Sequence, residues 1–132
     1  METSVQEKVF KLLANDRFAS SNGITLLEAE PSYALAQMKV TDHHLNGVDL
    51  VQGGAIFTLA DFAFAAASNA TGNITVSVNA SISFLKPAKG KIITAKATKV
   101  SSSKKLCHYN IDVFDEGGEL IAKVASTGYI KG

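Results

Sequence analysis

The chain has 132 residues, of which 46% are hydrophobic and 19% charged, and its net charge is +1. That length suits one domain with a core of its own, and the near-neutral balance excludes both a general basic field for nucleic acid and an acidic tail. The lone Cys107 excludes an intrachain disulfide framework and suits a reducing cytoplasm.

The opening stretch carries Glu2, Glu7 and Lys8 and has no long apolar segment, so a signal peptide is not expected. Ser4 followed by Glu7 is a capping-box pattern, and Val5, Val9, Leu12 and Leu13 follow at helical spacing. A short helix to about Ala14 is predicted. The segment from Asp16 to Gly23 reads as turn. Ile24 to Glu30 and Ala34 to Thr41 read as strands broken at Pro31-Ser32.

His43 to Leu50 reads as loop around an Asn46-Gly47 turn. From Gly53 or Gly54 to about Asn69 a second helix is predicted, ended by Thr71-Gly72-Asn73. Ile56, Phe57, Leu59, Ala60, Phe62 and Phe64 make it apolar on nearly all sides, the pattern of a buried helix. Its apolar run, Ala55 to Ala67, is too short to cross a bilayer.

Between Leu50 and Leu85 the only ionisable side chain is Asp61, in the middle of this helix. An unpaired carboxylate in such surroundings is costly or shifts its pKa upward, so a chain that keeps it is expected to use it.

After the helix the period changes to two. Ile74, Val76, Val78, Ala80, Ile82 and Phe84 alternate with polar residues, which predicts a long strand with those six on a buried face. Three further strands are expected at Lys91 to Val100, Lys105 to Phe114 and Leu120 to Ile130, the last two joined by a hairpin turn at Asp115-Glu116-Gly117-Gly118. The simplest packing is α+β, a curved antiparallel sheet wrapped around the long buried helix with a short N-terminal helix beside it.

Asn46-Gly47, Gln52-Gly53-Gly54 and Leu59-Ala60-Asp61, followed by VSVNASISFLKPAKG, resemble the hotdog-fold acyl-CoA thioesterases of the PaaI-like subfamily. The resemblance is strong from Leu45 to Gly90 and rests on strand order elsewhere. It implies a hotdog fold over residues 1–132, hydrolysis of an acyl-CoA thioester without metal or redox cofactor, and assembly as a dimer or a dimer of dimers. One residue departs from the pattern: the family's motif histidine is Gln52 here. If that histidine carries a proton, this chain lacks the step, since an amide does not titrate. If it orients a loop or donates a hydrogen bond, Gln52 can replace it, and this second role is the one expected.

Thioester hydrolysis needs donors for the carbonyl oxygen and a nucleophile or base. Amides at a helix N-terminus are unpaired, and glycine lets a substrate approach them closely. The Gly54 amide is therefore the expected oxyanion donor, aided by Gln52 or Ala55, with Asp61 as nucleophile or general base. Gly54 and Asp61 are seven positions apart, about 10 Å of helical rise, too far for one thioester to touch both. The two groups serving one substrate should then come from different subunits of a twofold dimer.

Asn46 is expected either to position substrate or to form a plain turn. Gly53 and Phe57 are expected at the substrate, the acyl group lying in an apolar slot formed by Phe57, Phe62 or Phe64. Medium-chain and aryl-acetyl groups both fit. By alternation Ser77 falls on the strand's polar side, away from the helix, and would reach Asp61 only across a subunit contact. Lys86 and Lys89, with Lys91, form one basic turn and Lys104-Lys105 another; coenzyme A phosphates and plain solvation are both open. His43-His44 is expected on an extended segment with its rings apart, His108 in a solvated row with Asn110 and Asp112, and Cys107 in the core. The competing function is a module that binds acyl-CoA without hydrolysing it; a hydratase is weaker because no histidine accompanies Asp61. Neither a nucleic-acid nor a membrane partner is expected.

Overall fold

The computed structural model describes residues 4–131, so Glu2 of the opening segment lies outside the described residues. Helix α1 (Val5–Ala14) begins where Ser4 accepts the Glu7 amide at 3.1 Å. Asp16 to Gly23 is not simply turn: Asp16 caps a five-residue helix, α2 (Arg17–Ser21), by accepting the Ala19 amide at 3.0 Å. Strands β1 (Ile24–Glu30) and β2 (Tyr33–Lys39) follow, then a 3-10 turn at Asp42–His44 and helix α3 (Gly53–Asn69). The last four strands are β3 (Thr75–Phe84), β4 (Ile92–Ser102), β5 (Leu106–Phe114) and β6 (Leu120–Ile130).

All six strands form one antiparallel sheet in the order β1-β2-β4-β5-β6-β3, with β1 and β3 at its edges. The sheet wraps α3, and small residues make the approach close. Ala34, Ala36, Ala95, Ala97 and Ala122 of the sheet, and Ala60, Ala63, Ala66 and Ala67 of α3, are fully buried. Larger side chains fill the far end, where Phe64 meets the Tyr109 ring edge-on at 5.4 Å. At the same end Gly128 is pinned by packing: a Cβ there would lie 2.7 Å from Phe64 Cζ, 2.8 Å from Thr75 Cγ2 and 2.9 Å from Cys107 Sγ. Cys107 is a core residue, as its alternation with Tyr109 and Ile111 suggested.

Two further features differ from the sequence reading, and both bear on function. The apolar row of β3 is not buried within the chain: Ile74 is 64% exposed, Val78 57% and Phe84 55%. The pairing of β3 with β6 slips between Ser77 and Asn79, leaving an extra residue in the strand and reversing its faces. Before the bulge it is Thr75, not Ile74, that is buried. The second difference is α3, which is not buried all round. Gly54 is exposed, and Phe57, Thr58, Asp61 and Ala65 are half-buried, at positions that make one stripe along the helix.

Candidate active site

The loop before α3 is built by two amide side chains. Asn46 Oδ1 accepts the amides of Val48 at 2.9 Å and Leu50 at 3.1 Å, and its own amide donates to the Leu50 carbonyl at 2.7 Å. The carbonyl half of its side chain therefore forms the turn, while the NH2 half has no acceptor among the described residues. Gln52 stands at the N-cap of α3 in extended conformation, φ −68° and ψ 138°, with its amide on the His44 carbonyl at 2.8 Å.

Gln52 also bears on the donor expected from the sequence. Its Oε1 accepts the Gly54 amide at 3.1 Å, so the donor expected from the sequence is already engaged. The cause is local: a side chain at the N-cap with an acceptor oxygen satisfies one of the free amides of the first turn. The Ala55 amide is taken by the Gln52 carbonyl at 3.0 Å. The Gly53 amide has no acceptor among the described residues. A side chain at Gly53 would also collide with the Phe84 ring, since a Cβ there would lie 2.8 Å from Phe84 Cζ.

Asn46, Gln52 and Gly54 line one cavity of about 430 Å³, walled by Ile24, Met38 and Ala55 and by Phe18 of α2. His44, expected from the sequence on an extended segment, belongs to it too. It is not on an extended segment: the 3-10 turn brings the His43 and His44 rings edge to face at 6.1 Å. His44 is buried at 5% exposure, and its Nδ1 accepts the Thr41 amide at 3.0 Å, which leaves the proton of the neutral ring on Nε2. That Nε2 is buried without a partner. Spacing alone gave no signal for His44. The Asp16–Ala19 cap was the available signal for the α2 residues.

Asp61 is not in this cavity. It lies eight residues beyond Gly53, about 12 Å of rise along α3, on the half-exposed stripe. It has neither hydrogen-bond nor ion-pair partner among the described residues, and burial, reinforced by the Asp16 carboxylate, pushes its pKa above the usual carboxylate value.

Ser77 is on the helix-facing side, contrary to the alternation. It pairs with Gly128, whose Cβ direction meets Phe64 of α3, and it shares a face with the buried Thr75; the bulge after Ser77 is the reason. Phe57 stays at the surface of α3, but Phe62 and Phe64 are consumed by the core, so the three do not form a free slot. Lys86 is paired with Glu119 at 3.0 Å, and the Lys89 amide donates to Asp115 beside Glu116, which takes the Lys91 amide. That basic turn is therefore interleaved with acids. His108 is held by Thr127 at 3.0 Å, and Asp112 pairs with Lys123 at 2.9 Å.

Comparison with known proteins agrees with this architecture. The model of the thioesterase superfamily matches residues 50–122. A putative esterase of Archaeoglobus fulgidus is 34% identical over 130 residues, covering 98% of this chain and 82% of its own length. The acyl-coenzyme A thioesterase PaaI of Escherichia coli is 31% identical over 123 residues, covering 92% of this chain and 88% of its own. The solved structure of E. coli PaaI superposes with a TM-score of 0.90 at 29% identity, covering 98% of this chain and 97% of that one.

Proposed function

The chain belongs to the thioesterase superfamily, as a PaaI-like hotdog protein, and from that membership we propose that it hydrolyses acyl-CoA thioesters at sites shared across a twofold dimer. The reading is carried by Asp61: a carboxylate without partners among the described residues, on the one half-exposed stripe of an otherwise buried apolar helix. Such a group is costly unless it meets something outside its own chain.

A second copy supplies the missing parts. Edge strand β3 presents exposed Val76, Val78 and Phe84 with open backbone groups, and Ile74 is exposed just before it, a surface suited to pairing with its own copy. Two sheets joined at β3 would set the α3 stripes against each other, bringing the open N-terminus of one helix beside Asp61 of the other. The carbonyl oxygen would accept the Gly53 amide, backed by the helix dipole, and the Gly54 amide would join when Gln52 turns aside. Asp61 would attack the carbonyl carbon, the C–S bond breaking as coenzyme A leaves and water then cleaving the acyl anhydride, or would take a proton from water that attacks directly as the same C–S bond breaks; Ser77, on the helix-facing side of β3, would assist. The NH2 groups of Asn46 and Gln52, which have no acceptor among the described residues, would hold the substrate at the cavity. Further pairing of dimers into tetramers follows the same reading. The reduced, buried Cys107 suits the cytoplasm.

Gln52 capping Gly54 favours one competing reading, in which acyl-CoA is bound but not cleaved. Incubating the protein with a panel of acyl-CoAs and a thiol-reactive dye separates the two. Thiol release at enzymatic rates supports hydrolysis. Tight binding with no release over hours supports the binding module.

A further inference from the structure

His44 and Gln52 stand opposite one another where the loop enters α3. The Leu45–Val51 bridge pairs the two sides of the loop antiparallel, and one step outward the Gln52 amide donates to the His44 carbonyl at 2.8 Å. Residues opposite one another in such a ladder send their side chains to the same face, with Cβ atoms about 5 Å apart. Both side chains line the cavity of about 430 Å³ at the α3 N-terminus. There His44 holds the donor of an unmade hydrogen bond. Its Nδ1 accepts the Thr41 amide at 3.0 Å, which fixes the ring and leaves Nε2–H shut away from water with no acceptor among the described residues. A buried donor in that state bears its full desolvation cost.

Gln52 holds the matching acceptor, engaged elsewhere. Its Oε1 takes the Gly54 amide at 3.1 Å, a position open only because residue 54 has no side chain: a Cβ there would lie 2.7 Å from that oxygen. Gln52 and Gly54 are both exposed, so the side chain has room to turn and water can replace Oε1 on the Gly54 amide. His44 Nε2–H differs in kind, because a protein acceptor has to satisfy what water does not reach. Glutamine and histidine side chains rooted about 5 Å apart on one face meet within hydrogen-bond distance in ordinary rotamers. Rotation of Gln52 from Gly54 to His44 keeps Oε1 paired, satisfies the imidazole and uncovers the Gly54 amide.

We propose that His44 is a positioning residue acting through Gln52: its Nε2–H takes the Gln52 Oε1 and so frees the Gly54 amide to join Gly53 in holding the carbonyl oxygen. The consequence for catalysis rests on the thioesterase reading; the exchange of partners does not. With Oε1 on Gly54 the helix start offers one open amide, and with Oε1 on His44 it offers two. The added donor acts where negative charge develops in the transition state, so it raises kcat and leaves KM alone.

Two isosteric substitutions separate this role from that of the Thr41 cap. His44→Asn keeps an oxygen at the Nδ1 position for the Thr41 amide and removes the Nε2 donor; His44→Gln keeps a donor at the Nε2 position and gives up the Nδ1 acceptor. The first readout is hydrogen exchange of the Gly54 amide, followed by NMR on the full chain. In His44→Asn the Gln52 oxygen stays on Gly54, and exchange should slow about tenfold, the weight of one hydrogen bond in the opening equilibrium. A loosened loop speeds exchange instead, so unchanged or faster exchange in His44→Asn would overturn the proposal. The second readout is thiol release from acyl-CoA. His44→Asn should lower kcat about tenfold at unchanged KM, His44→Gln should restore most of that loss, and His44→Asn should add nothing in a Gln52→Ala background, where no side-chain oxygen covers Gly54. The reverse order, with His44→Gln impaired and His44→Asn normal, is the mark of the cap alone and would also overturn it. Slowed exchange in His44→Asn with no thiol release by the wild type leaves the exchange of partners standing and removes the thioesterase reading alone.

Discussion

Gly53→Pro isolates the proposed oxyanion donor. Gly53 is the first residue of α3, so its amide has no intrahelical acceptor and proline removes a donor the fold does not use. Gln52 already has φ −68° and ψ 138°, the extended conformation that a residue before proline requires. The steric cost falls on the Phe84 ring, 2.8 Å from the new Cβ; that ring is the far end of a side chain 55% exposed and can swing outward. Thermal stability should therefore stay within about 1 kcal/mol of the wild type. Deleting one donor to a developing oxyanion lowers kcat by about 100- to 1,000-fold. The assay is thiol release at saturating acyl-CoA, with circular dichroism melting as the control for folding. A folded Gly53→Pro protein with wild-type kcat would refute the assignment of the donor to Gly53.

Three further substitutions have outcomes that follow from the geometry. Asp61→Asn should lower kcat by at least about 100-fold. The same change should raise the melting temperature at pH 7, because burial raises the carboxylate's pKa: the fold favours the protonated form, and stability is lost as pH rises through the window above the ordinary carboxylate value. The stability difference between the two proteins should vanish at acid pH, where Asp61 is neutral, and a pH series of melts checks this. Asp16→Asn keeps the α2 cap but removes the like charge near Asp61, so the acid limb of the kcat profile should move to lower pH. Gly128→Ala places a methyl against Phe64, Thr75 and Cys107 together and should cost about 1–3 kcal/mol in urea denaturation.

The bounds of α3 were legible because chemistry marks both ends, Gly53-Gly54 at the start and Thr71-Gly72 after Asn69. The β6 strand is likewise read to the residue, its alternation matching a sheet with one face buried. Ser77 was misread for a physical reason. A period of two locates a strand, but a single inserted residue inverts every face before it, and the bulge between Ser77 and Asn79 is recorded only in the pairing with β6. The exposure of Ile74, Val78 and Phe84 has a different origin: an apolar row on an edge strand looks the same in sequence whether its cover is the chain's own core or a second copy. Composition exposed Asp61 at once, because it stands alone among apolar neighbours. Which glycine amide is open depends on the rotamer of Gln52, and His44 is buried by a 3-10 turn; neither is written in spacing.

The shared site is tested most directly by mixing two silent chains. Gly53→Pro lacks the donor and Asp61→Asn lacks the acid, so a dimer of one of each retains one complete site, made from Asp61 of the first chain and Gly53 of the second. Random pairing after co-refolding makes half the dimers mixed, so about a quarter of the wild-type activity should return. If the mixture stays as inactive as its two components while mixed dimers are demonstrably present, the donor and the acid serve substrate within one chain, and the shared site is contradicted.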